Sequence, residues 1–171
     1  GETAATITDK LFLAVKFGKT TVEELGSTFG FVAPVIAAAG LGMDDYAASM
    51  AAVTAGGIQT NQATTGIKAV LSNLIKVTPK ASKAAKRLGI DFSVAALKSK
   101  GLVGVMEEIK EKTKGDVTEL GKLFDSIEAI NTVAVLTSEG GIAGLKRNMS
   151  AMNNAAGTTA AALDVVKASA S

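Results

Sequence analysis

Lys80, Lys83, Lys86 and Arg87 place four cations within eight residues, in the run KASKAAKRLG that follows Pro79. On a helix they would line one side, an arrangement that can face phosphate. No aromatic is interleaved for base stacking and no groove-reading motif accompanies them, so a solvated helix face is the preferred reading and a phosphate-facing one the alternative. Glu107, Glu108 and Glu111 are the other concentration of titratable groups. Paired carboxylates can do acid-base work, but these share a wet helix face with Lys110 and Lys112, opposite Leu102, Val103, Met106 and Ile109, so ordinary surface pairing is expected. The chain has no histidine and no cysteine. A histidine base, thiolate chemistry, disulfides and cysteine metal sites are thereby excluded, and any metal would need oxygen ligands alone. No phosphate loop with its lysine, nucleophile elbow, zinc or calcium spacing, or dinucleotide fingerprint is present. The sequence therefore nominates no catalytic residue, no metal ligand, no cofactor and no small-molecule substrate.

At 171 residues the chain suits one globular domain, or one domain and a tail. Hydrophobic residues make up 47% but aromatics only 4%, so alanine, glycine and medium aliphatics must fill the interior. That favours closely approaching helices. Eighteen basic and 16 acidic residues give a formal charge of +2, which makes no strong case for a polyanionic partner.

The elements read as an all-α multi-helix bundle with short glycine-bearing links. The N-terminal GETAATITDKLFLAVKFGK has neither an initiator methionine nor a signal peptide, so an excised piece of a longer protein is expected. A first helix of about ten residues carries Ile7, Leu11, Ala14 and Val15, and Gly18 ends it. Thr21 and Glu24 then stand at capping-box spacing, and Val22, Leu25, Phe29, Val32 and Ile36 form one stripe up to a stop at Gly40. The next helix starts near Met43, with Asp44 and Asp45 on the positive end of its dipole, and stops at Gly56-Gly57. A third runs from Thr60 to Lys76 with Ala63, Ile67, Val70, Leu71 and Leu74 inward. Short links predict an up-and-down arrangement of these three. Pro79 opens a basic helix that stops at Gly89, and alternation of Ile90, Phe92 and Val94 with Asp91 and Ser93 predicts one short extended segment near 90–94. Beyond Gly101 a helix follows, then one capped by Asp116, then one over Ser126–Leu136. Gly140-Gly141 should break the chain before a helix from Ile142 to Asn154 with Leu145, Met149 and Met152 inward. TTAAALDVVKASAS is expected to begin as helix. The implied organisation is an N-terminal helix over 1–19 leading in from a parent chain, a core over 20–138, and helices over 139–171 leading out.

Two stretches invite further readings. From Leu25 to Met43 no charge occurs for 19 positions, which is near the length that crosses a bilayer. Ser27, Thr28, four glycines and Pro34 make the run only mildly hydrophobic, so a central helix buried all round is preferred. A membrane-active segment with Phe29, Phe31, Val32, Pro34 and Ile36 is the alternative. Pro34 deprives the Gly30 carbonyl of its partner, which predicts a bend or break. In the third helix, Ala63, Gly66, Ala69 and Val70 would admit a neighbouring helix closely, within the monomer or in self-association.

TTVEELGSTFGFVAPVIAAAGLGMDDYAASMAAVTAGGIQTNQATTGIKAVLSNLIKVTP, then KAAKRLGIDF, then ELGKLFDSIEAINTVAVL, carry a family resemblance. In that order, from about Thr20 to Leu136, the chain resembles the core region of tape measure proteins of tailed bacteriophages and prophages. The resemblance implies a non-catalytic structural domain in the lumen of the virion tail, assembled in the bacterial cytoplasm. Such proteins set tail length through their own and leave ahead of the DNA during infection. It further implies other copies of the chain and the tube, tail chaperone and tip proteins as partners, with transient contact with host membrane or DNA. The last helical signature is expected to return against the Thr21–Lys76 helices and close the core.

Overall fold

The computed structural model describes residues 3–155, so the expected helix at 158–171 lies outside the described residues. Among the described residues the chain forms nine α-helices and no strand: α1 Ala4–Phe17, α2 Val22–Ala38, α3 Met43–Ala55, α4 Thr60–Ile75, α5 Pro79–Leu88, α6 Val94–Thr113, α7 Val117–Leu123, α8 Ile127–Thr137 and α9 Glu139–Asn153. The all-α bundle read from the sequence is the observed fold. Seven of the nine begin on a side-chain cap, from Thr3, Thr21, Thr78, Ser93, Asp116, Ser126 and Ser138. Each such oxygen satisfies an amide that the first helical turn leaves unpaired.

The helix buried all round is α3, not α2. Its residues Tyr46 to Thr54 are buried without interruption, and it packs against α1, α4, α8 and α9. Ala47, Ala48, Ala51 and Ala52 make that crowding possible, since a helix with small side chains lets neighbouring backbones close in. At Gly18, which follows α1, a Cβ would lie 2.8 Å from the Ala51 Cα. In α2 only Leu25, Val32 and Ile36 are fully buried; Phe29 and Val35 pack half-buried against the core, and most of the rest faces outward. Its main neighbour is α4 rather than the sequence-adjacent α3, so the three helices do not stack as consecutive hairpins.

Pro34 neither breaks nor ends α2. Gly30 and Pro34 both lie on the solvent face, where water can take up the freed carbonyl. α8 returns against α4 as expected. The contact is tight: a Cβ on Gly66 would stand 1.8 Å from the Thr132 hydroxyl oxygen, which offsets the helix propensity lost to glycine.

Residues 89–93 form an extended link without a strand partner, and Val94 already belongs to α6. Phe92 in this link sits edge-on to Phe124, ring centroids 5.3 Å apart. α6 is kinked at Gly101, where φ 71° and ψ 174° leave the helical region. Only glycine adopts that conformation at little cost. The break before α9 falls at Ser138 rather than at Gly140-Gly141, which form the first turn of α9. The Ser138 hydroxyl accepts from the Gly141 amide at 3.0 Å, and a Cβ on Gly141 would be 1.7 Å from the Val135 carbonyl oxygen. The glycine marks a close approach instead of a stop.

Candidate functional site

The basic residues of α5 come together as the sequence implied. Thr78 caps the helix, Pro79 occupies its first turn, and Gly89 ends it in the left-handed conformation. Ala81, Ala84 and Ala85 face inward, and the helix packs on α7, leaving Lys80, Lys83, Lys86 and Arg87 exposed. Two of the four are engaged. Arg87 pairs with Glu119, and the guanidinium holds the Glu119 carboxyl below its usual range. Lys80 Nζ donates to the Gly121 carbonyl at 3.4 Å. Lys83 and Lys86 carry no ion-pair partner among the described residues.

The five residues of the candidate membrane segment are divided between two faces. Val32 and Ile36 point into the core, Phe29 sits edge-on to Tyr46 at 4.9 Å, and Phe31 and Pro34 face out. Phe31 is 69% exposed. No helix among the described residues is long and apolar enough to cross a membrane. In α4, Ala63, Gly66 and Val70 are buried and Ala69 is half-buried, with Gly66 occupied by Thr132 of the same chain.

Several polar contacts escaped the sequence reading. Buried residues of α1 are Asp9, Lys10, Leu13 and Ala14 rather than an Ile7 stripe, and Lys10 pairs with Asp44 at the start of α3. Glu24 completes no capping box. Its own amide reaches Thr21, but its carboxylate accepts from the hydroxyls of Thr20 and Thr60 at 3.3 and 3.1 Å, tying α2 to α4. Asp45 Oδ2 accepts the Gly42 amide at 3.1 Å and also faces the Leu102 amide, freed where α6 kinks. Burial pushes its carboxyl up, Asp44 adds to the rise, and the amides oppose it.

Glu107 and Glu108 pair with other elements or across the kink, not along their own helical face. Glu108 takes Lys100 at 2.5 Å and the Asp91 amide at 2.8 Å, while Glu107 takes Lys146 of α9 at 3.1 Å. Burial opposes ionisation of Glu108, yet Lys100 and the Asp91 amide outweigh it and keep the carboxyl low. Asn148 is fully buried on the core face of α9, beside the half-buried Met149 that also packs on the core, and its amide donates to the Ala48 carbonyl at 3.1 Å. A lone asparagine at i+3 from Leu145 was the available signal for it.

None of this assembles a reaction centre. A groove between α6, α8 and α9 is open and lined by both signs of charge, Glu107, Glu111 and Glu139 against Lys110, Lys114 and Lys146. Among the described residues no three acidic groups cluster as metal ligands. What the chain has built is packing: apolar side chains from α1 to α9 join one continuous core.

Comparison with known proteins agrees with that character. The family described as phage-related minor tail protein matches residues 1–125, which spans α1 through α7 and so includes α3 and the basic helix. No curated protein and no solved structure matches the chain. With most of its length matched by a single tail-protein family, and with side chains committed to helix packing, the chain belongs to the phage-related minor tail proteins and is a component of a phage tail.

Proposed function

We propose that the chain is a structural domain of a tail tape measure protein, acting in the tail lumen through its own folded mass and length rather than through catalysis. The observation that carries this reading is where the resemblance falls. The residues resembling tape measure cores fall on α2, α3, α4, α5, α7 and α8, and among these α2, α3 and α8 pack on α4. The family match to minor tail proteins supports the coarser half of the statement.

Length determination makes a quantitative demand. Folded, the 153 described residues have a radius of gyration of about 15 Å. Drawn out as one helix they would reach about 230 Å, at about 1.5 Å per residue. Duplicating residues 127–153 in the phage gene tests which state the tube measures, with tail length read by electron microscopy. Tails longer by about 40 Å fit an extended helical ruler. Intact tails of unchanged length overturn length determination by this segment.

A second reading, contact with the host membrane, has one observation in its favour. Beyond Glu23 and Glu24 in its first turn, the outward face of α2, with Gly26, Ser27, Gly30, Phe31, Pro34, Ala37 and Ala38, carries no charge. Liposome flotation and dye release, before and after mild destabilisation, decide it. Absence of binding in both states discards the idea.

A further inference from the structure

The near-neutral total conceals a division of charge along the chain. Between Asp45 and Asp91 there is no acidic residue, while the same stretch holds Lys68, Lys76, Lys80, Lys83, Lys86 and Arg87. The whole chain is formally +2, so with six charges placed here the remainder is −4. All six cations are exposed. They lie on two consecutive helices and the link between them: Lys68 on α4, Lys76 at its C-cap in the 76–78 link, and the others along α5. Residues three or four apart on a helix are about 5–6 Å apart, so Lys80, Lys83 and Lys86 form a row along α5, and Lys76 precedes it by four positions in the chain.

The acids nearest these cations each hold a hydrogen-bond or ion-pair partner, although only Glu119 is neutralised by it. Glu119 serves Arg87 and Lys122, Asp125 accepts from the Asn73 side chain at 2.9 Å, and Asp91 accepts from the Ser93 hydroxyl at 3.0 Å. Lys83 and Lys86 are left to solvent, and Lys76 caps α4 with its side chain outward.

We propose that Lys76, Lys80, Lys83 and Lys86 form a strip that receives the phosphate backbone of a nucleic acid without reading its sequence. Charge complementarity argues for this occupant. Duplex DNA offers a negative charge about every 1.7 Å along its axis, so each ammonium finds a phosphate whatever the register. The carboxylates of a folded acidic partner would have to be placed against each lysine in turn. The only guanidinium on α5 is held by Glu119, so the bidentate fork that suits single carboxylates is withdrawn. α5 itself carries no aromatic residue and Phe92 after it is buried against Phe124, so contact with the backbone is the mode its lysines offer. This proposal does not depend on tail-length determination.

Fluorescence anisotropy of the 171-residue chain with two unrelated labelled 20-base-pair duplexes, from 50 to 200 mM KCl, is the test. Four contacts predict equal affinity for both duplexes and a log-log salt slope of about −3.6, a loss of about 10²-fold across the range. The variant Lys76→Gln/Lys83→Gln/Lys86→Gln should flatten the slope to about −0.9, whereas Lys16→Gln/Lys110→Gln/Lys112→Gln, with the same loss of charge elsewhere, should keep it near the wild-type value. Far-UV circular dichroism checks that both remain helical. No binding at 50 mM KCl, equal losses in the two variants, or displacement of DNA by polyglutamate as readily as by unlabelled duplex would each overturn the proposal.

Discussion

α2 and α3 follow one another in the chain and have opposite fates. Most of α2 lies in a charge-free run of 19 residues, and the helix contains two phenylalanines, yet half of it faces water. α3 opens with two aspartates and carries Ser49 and Thr54, yet nine consecutive residues are buried. Hydropathy alone would rank them the other way. The difference lies in shape and in hydrogen-bond satisfaction. Alanines allow four helices to reach α3, and its buried hydroxyls are satisfied locally, Ser49 on the Asp45 carbonyl at 2.6 Å and Thr54 on that of Met50 at 2.7 Å. α2 has Phe31 and Pro34 on a side where no other helix is packed.

The sharpest test of this contrast exchanges large side chains for alanine on each helix. Met50→Ala in α3, where the side chain is fully buried, should cost about 2–5 kcal/mol in urea unfolding. Phe31→Ala in α2 should stay within about 0.5 kcal/mol. Equal losses would erase the distinction. A second test concerns close approach. Gly66→Ala gains about 1 kcal/mol of helix propensity but meets Thr132, so a net loss of about 1–2 kcal/mol is expected. Thr132→Ala in the same chain should recover much of that loss, and a double-mutant cycle without coupling would show that α4 and α8 are not in contact there. Asn148→Ala leaves the Ala48 carbonyl of α3 without its donor and should cost about 1–3 kcal/mol by the same measurement.

The smallest effect is in pH dependence, and two carboxyls oppose each other in it. Asp45 has a folded pKa above its ordinary 3.8, because burial disfavours the charge. The fold therefore loses stability from this group as pH rises from below 3.8 through the folded pKa. Glu108 has a folded pKa below its ordinary 4.5, so its contribution is present above 4.5 and disappears as pH falls through the lower folded value. Asp45→Asn should make the acid limb of stability steeper and Glu108→Gln should make it shallower. Thermal melts between pH 2.5 and 6 distinguish the two, and a common direction of change would contradict the opposite environments assigned to them.

Much of the helical layout was legible because its signals are local. Thr21 and Asp116 cap the helices expected of them, and Gly89 stops α5, since a cap needs only an oxygen a few residues from an amide. The failures came where a residue's meaning depends on a distant partner. Gly140-Gly141 read as a stop because nothing nearby reveals that Val135 lies against Gly141. Val117 and Ile127 fit their apolar stripes, yet they are 62% and 66% exposed because no other element covers them. Asp9 and Lys10 are charged yet buried, and nothing in their own helix reveals that Asp44 of α3 lies beside Lys10. For the basic site the residues were evident from spacing, but which cations remain free was not. Arg87 and Lys80 find Glu119 and Gly121 some thirty to forty positions later in the chain.

By itself, the order of residues determined that the chain is helical, where most helices start, that its interior must be built from small side chains, and that histidine and cysteine chemistry is absent. Those properties follow from contacts spanning a turn or two, or from composition, and need no knowledge of distant neighbours. Tertiary structure alone decided that α3 and not α2 is central, that α2 lies on α4, and that Lys83 and Lys86 stay free while Arg87 does not. Each of these depends on which surfaces meet, and that is settled by the shape of the whole core rather than by any single segment.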